Sequence, residues 1–314
     1  MTPTGAPARP LLPLLAALVT MVLWASAFIV IRTTAVHYSA GAMAFGRLLV
    51  GSVTLTLVVR RRTPAPARRL PRGRPLALVV GFGVLWFGLY AVVINAAEQH
   101  LDAGTTALLI NVAPILVVLL AGLFLGEAVP RTLAIGLAVA FVGVAVIAAT
   151  TSSGRRDLAG VLLALAAAVL YAVGATLQKQ ALRDVDPLTA TWLGCVVGAV
   201  TCLPFAPDLL RSIGRAPAGA TAGIVYLGLF PTAVAFTTWA YALANTPVGR
   251  LSASSYLVPA LTVVLSWLLL AEVPGPAALL GGALCLTGVA LTRLPGRRPA
   301  GADQRVVAEA SSAS

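Results

Sequence analysis

A stretch of 42 residues occurs twice in this chain, and the fold has to accommodate both copies. Gly104–Ala145 reads GTTALLINVAPILVVLLAGLFLGEAVPRTLAIGLAVAFVGVA; Gly249–Ala290 answers it at an offset of 145 without a gap. Pro114 falls on Pro259, Glu127 on Glu272, Gly136 on Gly281 and Gly143 on Gly288. Leucine matching leucine means little in apolar sequence. Proline, acid and glycines held in register mark an internal duplication.

The duplicated unit belongs in a membrane. The chain is 59% hydrophobic and 10% charged, too few polar groups to cover a soluble domain of this length. Its apolar runs are about 20 residues long, enough for a helix to cross about 30 Å of hydrocarbon. They are Leu11–Ile31, Ala40–Val59, Leu76–Ala97, Ala103–Leu125 and Leu133–Ala149, then Leu158–Gln178, Thr189–Phe205, Ala218–Ala242, Leu251–Leu270 and Ala277–Leu291. No alternating pattern of barrel strands is present. Ala25-Ser26-Ala27 imitates a signal-peptidase site, but the apolar run continues past it, so the first span is retained. The expectation is an all-α integral membrane protein with ten transmembrane helices.

The halves are 11–149 and 158–293, joined by a polar loop at 150–157. Residues 1–10 form a polar lead and 294–314 a disordered tail. The net charge of +12 does not point to nucleic acid, because the basic residues lie between spans without an aromatic platform. They set orientation instead. With the N-terminus inside, sixteen Lys and Arg face the cytoplasm against five outside, seven of the sixteen in Arg60–Pro75, a loop also suited to anionic lipid headgroups. Both termini are then cytoplasmic. Five spans per half turn the second half upside down relative to the first, so the fold is two inverted five-helix repeats, an arrangement many secondary transporters share.

The chain resembles the drug/metabolite transporter superfamily, in its ten-span EamA type. The resemblance covers roughly Leu11 to Leu291. It is carried by LFLGE ending at Glu127 and LLLAE ending at Glu272, each with a proline thirteen residues earlier, and by LWASAFIVIR around Trp24 and LAAAVLYAVGATL around Tyr171. It implies two EamA-type repeats, transport of small metabolites, often export of amino acids or similar compounds, and no cofactor.

Polar groups inside spans are costly and are read as site candidates. Arg47 either bonds backbone carbonyls or binds a carboxylate. Pro114 and Pro259 each free a carbonyl within a span and are candidate hinges. Asn111, Ser254, Ser255 and Tyr256 lie within about a turn of them and are candidate lining groups. Trp24, Tyr90, Tyr171 and Trp239 are candidate aromatic walls. Glu127 and Glu272 read as contacts at span ends, with proton coupling as the rival. Lys179 reads as snorkelling to headgroups or lining a vestibule. Glu98, His100 and Asp102 read as a solvated turn, or else a gate. Gly136, Gly143, Gly281 and Gly288 read as a packing seam. Cys195, Cys202 and Cys285 read as buried small hydrophobes without metal spacing.

An enzyme embedded in the membrane would need a nucleophile with its base, paired acids or a metal cluster at depth. The two histidines, His37 and His100, lie near loops, and no such group, catalytic motif, Walker motif or metal set is present. A channel would need a repeated pore ring, which one duplication does not supply. The reading is a secondary transporter in a bacterial cytoplasmic membrane, with a small-molecule substrate, lipid around it and protons as a candidate coupling ion. A broad-specificity drug exporter is the alternative.

Overall fold

Two Asp-x-x-Thr sequences start helices in the same way. Asp102 accepts from the Thr105 backbone N–H at 2.8 Å and from its hydroxyl at 2.6 Å. Asp186 accepts from the Thr189 N–H at 3.0 Å, with Pro187 in the first turn, where a missing N–H costs nothing. Alanine at Asp102 removes the first of these caps and is expected to cost about 1 kcal/mol, read as a fall in thermal midpoint.

The computed structural model describes residues 11–62, 70–125, 131–150, 155–245 and 257–291. In the first half they form α1 (Leu11–Thr34), α2 (Ala40–Arg62), α3 (Arg74–Ala97), α4 (Ala103–Ile110), α5 (Ala113–Leu125) and α6 (Arg131–Thr150). The second half holds α7 (Arg155–Ala181), α8 (Pro187–Thr201), α9 (Ala206–Ile213), α10 (Ala218–Asn245), α11 (Leu257–Leu270) and α12 (Pro276–Leu291). No strand occurs among the described residues. Among the described residues, five helices are long and apolar enough to cross a membrane: α1, α2, α3, Leu158–Ala181 within α7, and α10. A sixth follows if α8 and the segment Leu203–Ile213, bent by 52°, count as one span; α11 and parts of α4–α5, α6 and α12 are shorter apolar helices. The run Thr189–Phe205 is thus not one straight span.

Sequence explains where the apolar surface goes. On α1, Leu11, Leu15, Leu18 and Val22 recur at helical spacing and are exposed, an outward stripe for hydrocarbon. Met21, Ala25 and Phe28, on the neighbouring face, are buried. The largest buried side chains, Trp86, Phe82 and Phe87, all come from α3.

The duplication is visible in three dimensions. α3 and α10 each contain a seven-residue π-helical segment, Gly83–Leu89 and Gly228–Val234, at the same offset of 145 as the sequence copies. Pro231, which lacks an N–H, lies inside the second. The packing partners exchange as well. α1 packs on α10 and α11, while α7 packs on α3, α4 and α5.

α6 packs on α12 through paired glycines. A methyl group on Gly143 would lie 2.4 Å from the Gly281 carbonyl oxygen; one on Gly288 would lie 2.4 Å from that of Gly136. The pairing runs 143 to 281 and 136 to 288, so these helices cross antiparallel. Each contact maps onto the other when the two copies are exchanged, the pattern of a self-complementary interface. The seam expected from the glycine spacing is therefore present.

Candidate functional site

Between the halves lies a cavity of about 710 Å³, counting its open mouth. α1 contributes Trp24, Ala27, Phe28 and Ile31 to its walls. α3 contributes Trp86, Tyr90 and Ile94. Tyr171 comes from α7, Phe236 from α10 and Val258 from α11. Ile110, Asn111 and Pro114 come from the break between α4 and α5.

Much of the wall is aromatic. Trp86 sits edge-on to Tyr171 with ring centroids 4.8 Å apart, and 5.2 Å from Phe236. Trp24 lies 5.3 Å from Phe236. Such contacts hold rings in fixed orientation. A methyl on Gly174 would lie 2.5 Å from the Trp86 Cβ, so α7 presses directly on this ring.

Arg47 brings the charge. It is 7% exposed and faces the cavity. Its Nε donates to the Thr232 hydroxyl at 3.1 Å, its one hydrogen bond among the described residues. No carboxylate pairs with it there, nor does a backbone carbonyl receive its guanidinium. The backbone beneath is clamped, since a methyl on Gly228 would lie 2.7 Å from the Arg47 carbonyl oxygen. A buried guanidinium with four N–H donors left over and no anion among the described residues is poised for one. Asn111, 5% exposed, adds a carboxamide at the same cavity. The faces of Trp24, Trp86, Tyr90 and Tyr171 can take an ammonium group by cation–π attraction.

The candidate residues divide as follows. Trp24, Arg47, Tyr90, Asn111, Pro114 and Tyr171 all line this cavity. Trp239 does not; its ring packs 5.2 Å from that of Trp24, and it supports the wall from behind. Pro114 stands in the first turn of α5, just after the helix breaks at Asn111–Val112, so the bend precedes it. Pro259 is buried in α11, next to the lining residue Val258. Ser254, Ser255, Tyr256 and Glu127 lie outside the described residues. Trp86 and Phe236, missing from the candidate set, line the cavity, because apolar aromatics give no signal to separate a wall from a core. The three cysteines are free and buried.

Glu98 corrects the reading of a solvated turn. It is fully buried. A signal was available in the helix phase: Phe87, Ala91 and Ile94 form one buried stripe on α3, and Glu98 is its next member. Glu272, read as a contact at a span end, pairs with Arg32 at 3.1 Å.

The model of the EamA-like transporter family matches residues 11–149 and 158–294, nearly the whole described chain. The chain belongs to the EamA-like transporter family. It is a membrane transporter, not an enzyme. A relative from Streptantibioticus cattleyicolor, named "Probable terminal-alkyne amino-acid exporter", is 40% identical over 285 residues, covering 90% of this chain and 94% of its own. The "Probable amino-acid metabolite efflux pump" of Salmonella typhimurium is 25% identical over 286 residues, 87% and 92% of the two chains. A crystal structure at 21% identity superposes with a TM-score of 0.63 over 91% of this chain and 99% of the other, a likeness of fold. The EamA repeats thus enclose the aromatic cavity with Arg47 in its wall.

Proposed function

We propose that this chain exports a small amphipathic amino acid, or a closely related compound, across a bacterial cytoplasmic membrane by alternating access. The observation that carries the reading is Arg47, a buried guanidinium at an aromatic cavity with a single neutral partner among the described residues. A carboxylate satisfies the guanidinium, aromatic faces take the ammonium, and the apolar remainder of the wall takes the side chain. The names of two relatives, an amino-acid exporter and an amino-acid metabolite efflux pump, support the same class.

The proposed architecture is ten spans in two inverted five-helix repeats, 11–149 and 158–293, with both termini cytoplasmic. It is supported by the antiparallel glycine seam, by the π segments at the duplicated offset and by the exchanged packing partners. An inverted pair encloses its site near the midplane, and rocking one repeat against the other exposes it to each side in turn. Protons are the proposed coupling ion.

The test is a thermal-shift screen of the purified protein against three ligand classes: apolar and alkyne-bearing L-amino acids, the matching decarboxylated amines, and bulky amphipathic cations. A ligand of the folded state raises the midpoint by mass action, here by a few degrees near saturation. Shifts confined to the amino acids are expected. Shifts from the cations, with none from amino acids, would replace this reading with a drug exporter.

A further inference from the structure

At one end of the cavity, just beyond the lining residues Ile31 and Ile94, an ion pair ties the two repeats together. Arg32 follows Ile31 at the end of α1. Its Nε donates to both carboxylate oxygens of Glu272 at 3.2 and 3.3 Å, and its Nη2 lies 3.1 Å from Oε1. Arg32 belongs to the first repeat and Glu272 to the second. The segment carrying Glu272 is held in an uncommon conformation. Ala271 has φ 54°, the one non-glycine residue with positive φ among those described. Glu272 donates its N–H back to the Ser266 carbonyl at 3.3 Å. Such outliers persist where surrounding contacts fix them, and they cluster at functional positions.

The same guanidinium reaches Glu98. Arg32 Nη1 donates to the Glu98 backbone carbonyl at 3.2 Å. The Glu98 carboxyl is fully buried, and neither of its oxygens has a hydrogen-bond partner among the described residues. It lies one turn beyond Ile94, whose carbonyl accepts its N–H at 3.1 Å. The charged and titratable groups around it are Arg32 from α1, Arg47 from α2, Tyr90 on α3, His100 and Asp102 in the turn ahead of α4, and Glu272 after α11. α7 meets this turn at Gly160, which carries no titratable group. A carboxylate without hydrogen bonds is costly in such a place, and the neutral acid is the form it holds. Burial pushes the Glu98 carboxyl well above the usual carboxylate range, with Arg32 and then Arg47 pulling the other way.

Resting on the transporter reading above, we propose that Glu98 is a proton-binding site whose proton controls the Arg32–Glu272 ion pair closing this end of the cavity. While Glu98 is neutral, Arg32 and Glu272 balance each other. Loss of the proton to water sets a second carboxylate beside one guanidinium. Glu98 then competes with Glu272 for Arg32, and the buried anion favours an arrangement that water can reach. A carboxyl whose proton affinity is raised in the closed form stabilises that form below its ordinary range. That stability is lost as pH rises through the raised value. One proton therefore shifts the balance between the closed and open ends, the coupling an exchanger requires.

The test reads access to the cavity and needs no substrate. Ile31→Cys is made in the full chain, placed in lipid nanodiscs and labelled with a polar maleimide, against a parent carrying only the native cysteines. Thiol ionisation itself changes with pH. Each rate is therefore divided by that of the same cysteine in a Glu98→Gln background at the same pH. Between about pH 5 and about pH 9 this ratio is expected to rise about tenfold. Glu98→Asp retains the rise, and Glu272→Gln labels fast at every pH. A ratio constant across pH overturns the proposal, as does slow labelling of Glu272→Gln. Should Glu98→Gln not fold, Glu98→Asp and Glu272→Gln decide, the former through a shifted pH midpoint. Failure here leaves amino-acid export standing, because that reading falls only on the ligand screen.

Discussion

Alanine in place of Arg47 lowers the affinity for an amino-acid ligand by about a hundredfold or more, and leaves the ligand-free thermal midpoint unchanged or higher. The affinity loss follows from removing one partner of a desolvated, hydrogen-bonded charge pair, which costs about 2–5 kcal/mol. The stability result follows from the same burial. The guanidinium has one neutral hydrogen-bond partner, the Thr232 hydroxyl, and no counter-ion among the described residues. A buried cation without an anion burdens the empty protein, so truncation relieves it. Arg47→Lys keeps the charge but loses the planar pair of donors, and recovers only part of the affinity. Calorimetry with an amino acid that shifts the midpoint measures the first quantity; the melting curve without ligand measures the second. A sharp drop in the ligand-free midpoint of Arg47→Ala would assign Arg47 to the fold and remove it from the site.

Alanine at Gly143 or Gly281 forces α6 and α12 apart. The added methyl at Gly281 would lie 2.5 Å from the Gly143 carbonyl oxygen, and at Gly143 the clash is 2.4 Å in the other direction. Ordinary carbon–oxygen contact begins near about 3.3 Å, so the axes must separate by about 1 Å. The obstacle is backbone, which has no rotamer to give. Overpacking costs about 1–3 kcal/mol where side chains can shift, and this case lies at or above the upper end. Small residues carry helix association in a bilayer, because there is no hydrophobic drive between helices to replace close contact. A marked loss of folded protein in detergent is expected. The double substitution costs less than the sum, since the second methyl enters a seam already opened. Gly219→Ala, with nothing within 4 Å of the added carbon, is the neutral control.

The legible part of this protein was whatever repeats. The 145-residue offset, visible as Pro114 with Pro259 and Gly143 with Gly288, reappears as paired π segments and a paired seam. Arg47 was legible because a charge within an apolar run has few places to go. Glu98 was misread because its neighbours Gln99 and His100 are polar, and local composition outweighed the helix phase of Phe87, Ala91 and Ile94. Phe236 and Trp86 were illegible for a different reason. A wall and a core use the same aromatic residues, and only the position of the empty space separates them. The partner of Arg32 also lay beyond reach, since Glu272 is 240 residues away.

The glycine seam bears on energy as well as packing. Its contacts are unchanged when the two copies are exchanged, so the crossing of α6 and α12 has no preference between the repeats. In the proposed inverted arrangement, exchanging the repeats also exchanges the two ends of the cavity. A state open at one end is then nearly the mirror of the state open at the other, and the seam contributes equally to both. The balance between them is left to positions where the copies differ, such as the Arg32–Glu272 pair and Glu98. A few side chains, acting on an almost level equilibrium, are enough to give transport a direction.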